Sequence, residues 1–253
     1  MPQKTGLPKL LTKGKCLFLA YDQGLEHGPT DFNDRNVNPL TIINLAKHGK
    51  FNALVFQKGI AEKYNREIKK SKVNLILKLN GKTNLVKGEP LSTQMCTVKE
   101  ALKLGAAAVG YTIYIGSTYE NKMFREFEKI EREAHSKNMP VIAWIYPRGK
   151  AVENKPDSEL LAYATRVGLE IGADIVKIHW SGNNVKDLSW AVKAAGRCRV
   201  VIAGGLKKNE KELLKNIKQA MSAGVAGIAI GRNVWQHPKP LEITKKIQRV
   251  LWL

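Results

Sequence analysis

The sequence predicts an α/β fold, a single-domain (β/α)8 TIM barrel over residues 1–253, with 1–15 as an N-terminal lead-in. Three observations predict it. Eight apolar runs of strand length alternate with helical segments, the pattern of a parallel sheet with crossover helices. The phrases Leu-Gly-Ala-Ala-Ala-Val-Gly (104–110), Ile-Gly-Ala-Asp-Ile-Val (171–176) and Ala-Gly-Val-Ala-Gly-Ile (223–228) repeat one joint, a helix stopping at Gly before a strand. The 253 residues are close to the length of one such barrel, and two smaller domains are also compatible. An open doubly wound sheet is the competing arrangement. It is disfavoured because no strand runs into GxGxxG or GxxxxGK[ST].

The elements follow in order. The polar lead-in delivers a first strand, 16–21, which ends in Asp22-Gln23-Gly24. A helix over 40–47 stops at His48-Gly49 before the second strand, 53–57, and the third strand is 74–80. After a loop near Glu89-Pro90, a helix over 97–104 stops at Gly105 and the fourth strand covers 107–114. A long helix, about 118–137, precedes the fifth strand, 141–146, closed by Pro147-Arg148-Gly149. Asp157-Ser158-Glu159 opens a helix to about Gly172, and the run 173–180 holds the sixth strand. A helix over 188–195 stops at Gly196, and the seventh strand, 199–203, ends in Gly204-Gly205. A helix at about 209–223 leads to the eighth strand, 227–230, ended by Gly231-Arg232-Asn233, and a last helix covers about 241–251.

Composition narrows the function classes. With 43% hydrophobic and 25% charged residues the chain is ordinary for a globular protein. It has no apolar run long enough for a membrane span, and its first residues lack the apolar core of a secretory signal. Cys16, Cys96 and Cys198 have no metal-ligand spacing and read as reduced thiols, so a cytoplasmic location is expected. The 42 basic residues against 22 acidic leave a net charge of +20, which suits a nucleic-acid binder or a protein attracting anionic metabolites. The lysines are dispersed through helical segments such as 207–215, as on a solvated face, so no nucleic-acid partner is expected.

Lys177 is the residue that asks for an explanation. It lies inside Ala-Asp-Ile-Val-Lys-Ile-His-Trp (173–180), otherwise a buried parallel strand, where an unpaired ammonium is costly. Burial lowers a lysine pKa and yields the neutral amine that attacks a carbonyl. The bland reading is a lysine paired with a carboxylate or snorkelling to the strand end. Strand alternation puts Lys177 on one face with Ile175 and His179, and groups Trp144, Tyr146 and Arg148 on one face of the fifth strand. Asp22 shares the face of Phe18 and Ala20. If these faces point inward, the polar strand ends meet in one mouth at the C-terminal side of the barrel. Gly204-Gly205 and Gly231-Arg232 end the seventh and eighth strands, where barrel enzymes hold phosphate on backbone N–H groups.

Several segments then resemble the archaeal-type class I fructose-bisphosphate aldolase family: 20–29 (AYDQGLEHGP), 55–61 (VFQKGIA), 77–83 (LKLNGKT), 109–114 (VGYTIY), 146–149 (YPRG) and 228–236 (IAIGRNVWQ). The resemblance covers about residues 10–250 and implies a (β/α)8 barrel that cleaves fructose 1,6-bisphosphate without a metal or other cofactor. It implies that Lys177 forms the Schiff base, that Tyr146 moves protons, and that Asp22 assists carbinolamine chemistry. It also implies that Trp144 walls the substrate, and that Gly204, Gly205, Gly231 and Arg232, with Lys207 nearby, hold a phosphate. Arg148 and His27 are expected to bind substrate, and a neighbouring cation is expected to lower the Tyr146 pKa. Gln23 and Ala203 depart from the family, which commonly has His and Ser there. A homo-oligomer, with the decamer as its expected size, is implied as well.

Two other readings stand beside this one. The chain could be a related Schiff-base aldolase or transaldolase-type enzyme acting on another phosphorylated ketose, such as an aminodideoxyheptulosonate synthase-like protein. It could also be a basic nucleic-acid-binding barrel, on the charge excess alone. His179 reads as a mouth residue, and His48, His135 and His237 as surface histidines.

Overall fold

The computed structural model describes residues 6–252, so the first five residues of the expected lead-in lie outside the described residues. Eight parallel strands close on themselves: β1 (Cys16–Ala20), β2 (Ala53–Gln57), β3 (Asn74–Lys78), β4 (Ala108–Ile115), β5 (Val141–Pro147), β6 (Ile175–Ile178), β7 (Arg199–Ala203) and β8 (Gly227–Ile230). Each pairs with its sequence neighbours and β8 pairs with β1, from Cys16 opposite Gly227 to Leu19 opposite Ile230, which closes the barrel. The predicted strand order therefore holds throughout.

The helices start where the sequence supplies caps. Asn38, Asn184 and Asn209 accept backbone N–H bonds at the starts of Pro39–His48, Val185–Ala194 and Glu210–Ser222. Thr97 and Glu100 form a reciprocal capping box on Val98–Leu104. Besides the one-turn helices Gly24–His27 and Arg232–Trp235, two helices were not expected, Lys58–Lys63 and Asn65–Ser71 in the β2–β3 connection. Of their thirteen residues only Ala61, Ile68 and Ser71 are buried, so they carry almost no apolar period to read. The third strand is shorter than expected, because Asn80–Gly81 leave the barrel to pair antiparallel with Thr93–Gln94.

Alternation sorts the side chains as predicted. Cys16, Phe18, Val55, Ile76, Ile142, Trp144, Ile175, Val201 and Ala229 fill the barrel interior, and Leu10 from the lead-in closes its N-terminal end. Val141, Ala143, Ile145, Val176 and Ile178 face the helical shell instead. Trp144 is the largest fully buried side chain among the described residues, and its indole fits because Gly110, two residues before its register partner on β4, has no side chain: a Cβ at Gly110 would overlap the indole. Gly110→Ala is therefore expected to displace Trp144 rather than fill space.

His135 is a correction. It is not a surface histidine: its Nε2 lies 2.9 Å from Asp174 Oδ2 and its Nδ1 lies 2.6 Å from Glu131 Oε1, with the ring 13% exposed. Asp174 also accepts the Val141 N–H at 2.8 Å, so this cluster joins the helix Glu120–Ser136 to the N-terminal starts of β5 and β6. The Asp174 hydrogen bond, outweighing partial burial, raises the His135 pKa. A raised folded-state pKa stabilises the fold below the unfolded value, and that contribution disappears as pH rises through the folded value. Thermal melts at about pH 6 and pH 9 test this: wild type should lose stability across that interval by a margin that His135→Ala lacks.

Candidate active site

The C-terminal ends of the strands surround a cavity of about 640 Å³, within the range usual for small-molecule sites. Lys177 stands on its wall in the C-terminal half of β6, only 6% exposed. In the strand register it neighbours Trp144 of β5, and its Nζ lies 5.1 Å from the indole centroid. Burial lowers the amine pKa to about 8; Asp22 pulls it up, and a second lysine, Lys78, pushes it down again. Roughly a tenth of the amine is then unprotonated at neutral pH, against roughly three to four ten-thousandths for an ordinary lysine.

Lys78 did not come out of the sequence reading as a site residue. Its Nζ lies 3.2 Å from Asp22 Oδ2, and the two side chains are only 7% and 8% exposed. Burial pushes the Asp22 pKa up, but the charges of Lys78 and then Lys177 prevail and hold it below the ordinary value. Asp22 is thus a carboxylate between two lysines. The signal for Lys78 was present: it follows Ile76 by two positions on an inward face, the same alternation that marked Lys177.

Tyr146 follows Trp144 by two positions on β5 and reaches the cavity with its ring partly exposed. The Arg148 guanidinium lies 5.5 Å from its ring centroid and 5.6 Å from that of Tyr114. Arg148 pulls the Tyr146 pKa down, as a neighbouring cation was expected to, but it does not prevail. Burial, and then the Asp22 charge, hold it well above the ordinary value, and the opposing pull of Arg148 does not offset them. The resting phenol is protonated. Arg148 itself bonds Glu26 Oε1 at 3.3 Å, and Glu26 is the second site residue that sequence reasoning passed over.

On the opposite side, Gly204, Gly205, Gly231 and Arg232 all line the cavity. Gly231 is sterically required, since a Cβ there would stand 2.6 Å from the Ala20 carbonyl oxygen. Gly205 adopts a positive φ of 65°. Asn233 fixes this loop: its amide donates to the Gly204 and Leu206 carbonyls at 2.8 and 2.9 Å, and its oxygen accepts the Lys208 N–H at 2.8 Å. Arg232 points back to Asp31 Oδ1 and the Gly205 carbonyl, both at 3.4 Å. The following helix, Arg232–Trp235, has four residues, too few for a substantial dipole.

One expected residue stands apart. Lys207 is exposed and lines a smaller neighbouring cavity rather than the main one. His27 lines the main cavity, with its Nδ1 2.6 Å from Asp31 Oδ2. His179 lines it too, and burial, with Arg148 nearby, lowers its pKa and keeps it neutral. Among the described residues no group of three or more His, Cys, Asp or Glu side chains is placed to hold a metal ion. No helix among them is long and apolar enough to cross a membrane.

A closed parallel barrel with a buried amine of lowered pKa beside a carboxylate defines a carbonyl-chemistry enzyme of the barrel type. Residues 16–237 match the DeoC/LacD family of aldolases, and the chain belongs to that family. It is 48% identical to the class 1 fructose-bisphosphate aldolase of Thermoproteus tenax, over 95% of this chain and 90% of that one. It is 37% identical to a fructose-bisphosphate aldolase/6-deoxy-5-ketofructose 1-phosphate synthase of Methanocaldococcus jannaschii, over 92% of this chain and 79% of that one. Among solved structures it is similar to an archaeal fructose-1,6-bisphosphate aldolase whose catalytic lysine is covalently bound to the carbinolamine intermediate of its substrate. The two share 44% identity over 98% of both chains, with a TM-score of 0.92.

Lys78→Met should cost about 3 kcal/mol of stability, because it leaves the Asp22 carboxylate buried without its closest partner. Adding Asp22→Asn should cost far less than a second such loss. Denaturant unfolding of the two single variants and the double variant reads this coupling; additive losses would mean that the pair is not a unit.

Proposed function

We propose that this chain is a metal-independent class I fructose-bisphosphate aldolase. It cleaves fructose 1,6-bisphosphate reversibly to dihydroxyacetone phosphate and glyceraldehyde 3-phosphate, through a Schiff base on Lys177. The observation that carries this reading is the buried Lys177 amine, with its pKa lowered to about 8, between Trp144 and the Asp22–Lys78 pair. The similar aldolases at 42 and 48% identity support the substrate.

The unprotonated Lys177 amine attacks the C2 ketone and gives a carbinolamine. Loss of its hydroxyl as water requires a proton, and the protonated Tyr146 phenol supplies it. The phenolate left behind is a strong base because its surroundings disfavour charge, and the Arg148 guanidinium 5.5 Å from the ring supplies a counter-charge. The phenolate takes the proton of the C4 hydroxyl as the C3–C4 bond breaks and glyceraldehyde 3-phosphate leaves. The bonding electrons pass into the iminium to form an enamine, which is why no metal is required to stabilise the carbanion. Protonation at C3 and hydrolysis then release dihydroxyacetone phosphate and restore Lys177.

Asp22, held ionised by Lys78, orients the C2 and C3 hydroxyl groups and stabilises the protonated nitrogen of the imine. Trp144 walls the substrate, and its buried Nε1–H, which has no partner among the described residues, is a donor for a substrate oxygen. The backbone of Gly204, Gly205 and Gly231, with Arg232, binds the phosphate on the dihydroxyacetone half. Ala203 offers no hydroxyl there, so affinity for that phosphate rests on the backbone and Arg232. Arg148 and His27 bind the other half of the substrate. The sugar phosphate is the proposed partner, in a cytoplasmic homo-oligomer with the decamer as its proposed size; light scattering of the purified protein tests that mass.

Borohydride reduction in the presence of dihydroxyacetone phosphate should add one reduced adduct at Lys177, located by peptide mass, and Lys177→Ala should abolish it while the fold persists. Tyr146→Phe should retain slow trapping but lose cleavage by roughly 10²- to 10⁴-fold, the range for a positioned proton-transfer group. A substrate panel decides identity. Turnover of another phosphorylated ketose without turnover of fructose 1,6-bisphosphate would overturn the assignment but leave the imine chemistry standing.

A further inference from the structure

The connection that follows β3 takes no part in the mechanism above, yet it touches both sides of the cavity mouth. Near its start, the Asn84 N–H donates to the Glu26 carbonyl at 3.0 Å. Further along, Glu89 spends both carboxylate oxygens on backbone: Oε1 accepts the Lys150 N–H and Oε2 the Thr118 N–H, each at 2.9 Å. These donors belong to different loops, one after β5 and one after β4. The same contact is reinforced by Ser117, buried, whose hydroxyl donates to the Pro90 carbonyl at 2.7 Å. Gly149 packs against Gly116 and Ser117 with no room for a Cβ, and the Arg148 N–H donates to the Ile115 carbonyl at 3.0 Å.

Arg148 therefore leaves a stretch of backbone that is pinned immediately before and after it. Its ion-pair partner Glu26 is tied to the other end of the same connection. We propose that Glu89 is a positioning residue for the reaction, holding Arg148 and Glu26 together over the ring of Tyr146. This rests on the aldolase reading of the site. The charged and titratable groups around Tyr146 are Asp22 just past β1, Glu26, Tyr114 of β4 and Arg148, with Lys177 of the neighbouring β6 and His179 just past it lining the same cavity. Asp22, Glu26 and Tyr114 disfavour the phenolate and Arg148 favours it, so a displaced Arg148 makes the base harder to form and moves the rise of kcat with pH to higher pH.

A carboxylate that merely caps loops would change melting temperature and leave that pH profile where it was. The test compares Glu89→Ala, Glu89→Gln, Arg148→Ala and the Glu89→Ala/Arg148→Ala double variant. The readouts are kcat and KM for fructose 1,6-bisphosphate cleavage from about pH 6 to pH 10, borohydride trapping at Lys177, and melting temperature. Glu89→Ala should lower kcat near pH 7 by roughly tenfold, a fraction of what positioned proton transfer contributes. Its kcat profile should shift to higher pH in the direction of Arg148→Ala, while trapping with dihydroxyacetone phosphate persists. Glu89→Gln, which keeps one acceptor oxygen, should fall between it and wild type. The double variant should be no slower than Arg148→Ala alone. An unmoved pH profile in a folded Glu89→Ala protein, or losses that multiply in the double variant, overturns the proposal. Absence of both cleavage and trapping in wild type would overturn the aldolase reading, and this inference with it.

Discussion

The site depends on three charges kept inside an apolar barrel. Lys177 and Lys78 come from β6 and β3 and Asp22 from the turn just past β1, and each is at most 6% exposed. Any one alone would be costly there. Together they sort themselves: Asp22 is held as a carboxylate by two cations, and Lys177, the amine without the direct ion pair, is the one whose proton is loosened. Lys78 thus has two effects through one position, since it neutralises Asp22 and also repels the proton on Lys177. The nucleophile is produced by the composition of the cluster more than by any single contact.

The same low-dielectric interior gives Tyr146 its character. A phenol that resists ionisation is a stable resting acid, and its conjugate base, once formed, takes a proton readily. The cation over its ring moderates this without reversing it. In the proposed mechanism the acid that helps water leave and the base that deprotonates the C4 hydroxyl are then one atom used twice.

Packing and chemistry share residues throughout. Gly110 is a core residue that exists to admit Trp144, and Trp144 is a core residue that walls the amine. Gly231 lets the loop after β8 lie against the Ala20 carbonyl, next to the strand end that precedes Asp22. Asn233, buried at 4% exposure, ties the loops after β7 and β8 to each other by three hydrogen bonds. Substitutions at such positions therefore change stability and catalysis together.

Period and punctuation in the sequence were enough for the barrel, its strand order, and the inward faces of Lys177, Trp144, Tyr146 and Asp22, because alternation and helix-stop glycines are local properties. The helices Lys58–Lys63 and Asn65–Ser71 were invisible because they bury almost nothing. Lys78 was legible by the alternation that exposed Lys177, yet its partnership with Asp22, 56 positions away, required the barrel to close. The protonation of Tyr146, the burial of His135 between two carboxylates and the displacement of Lys207 from the cavity belong to tertiary structure alone. Each depends on desolvation and on charges brought close by folding, which no reading of neighbours along the chain contains.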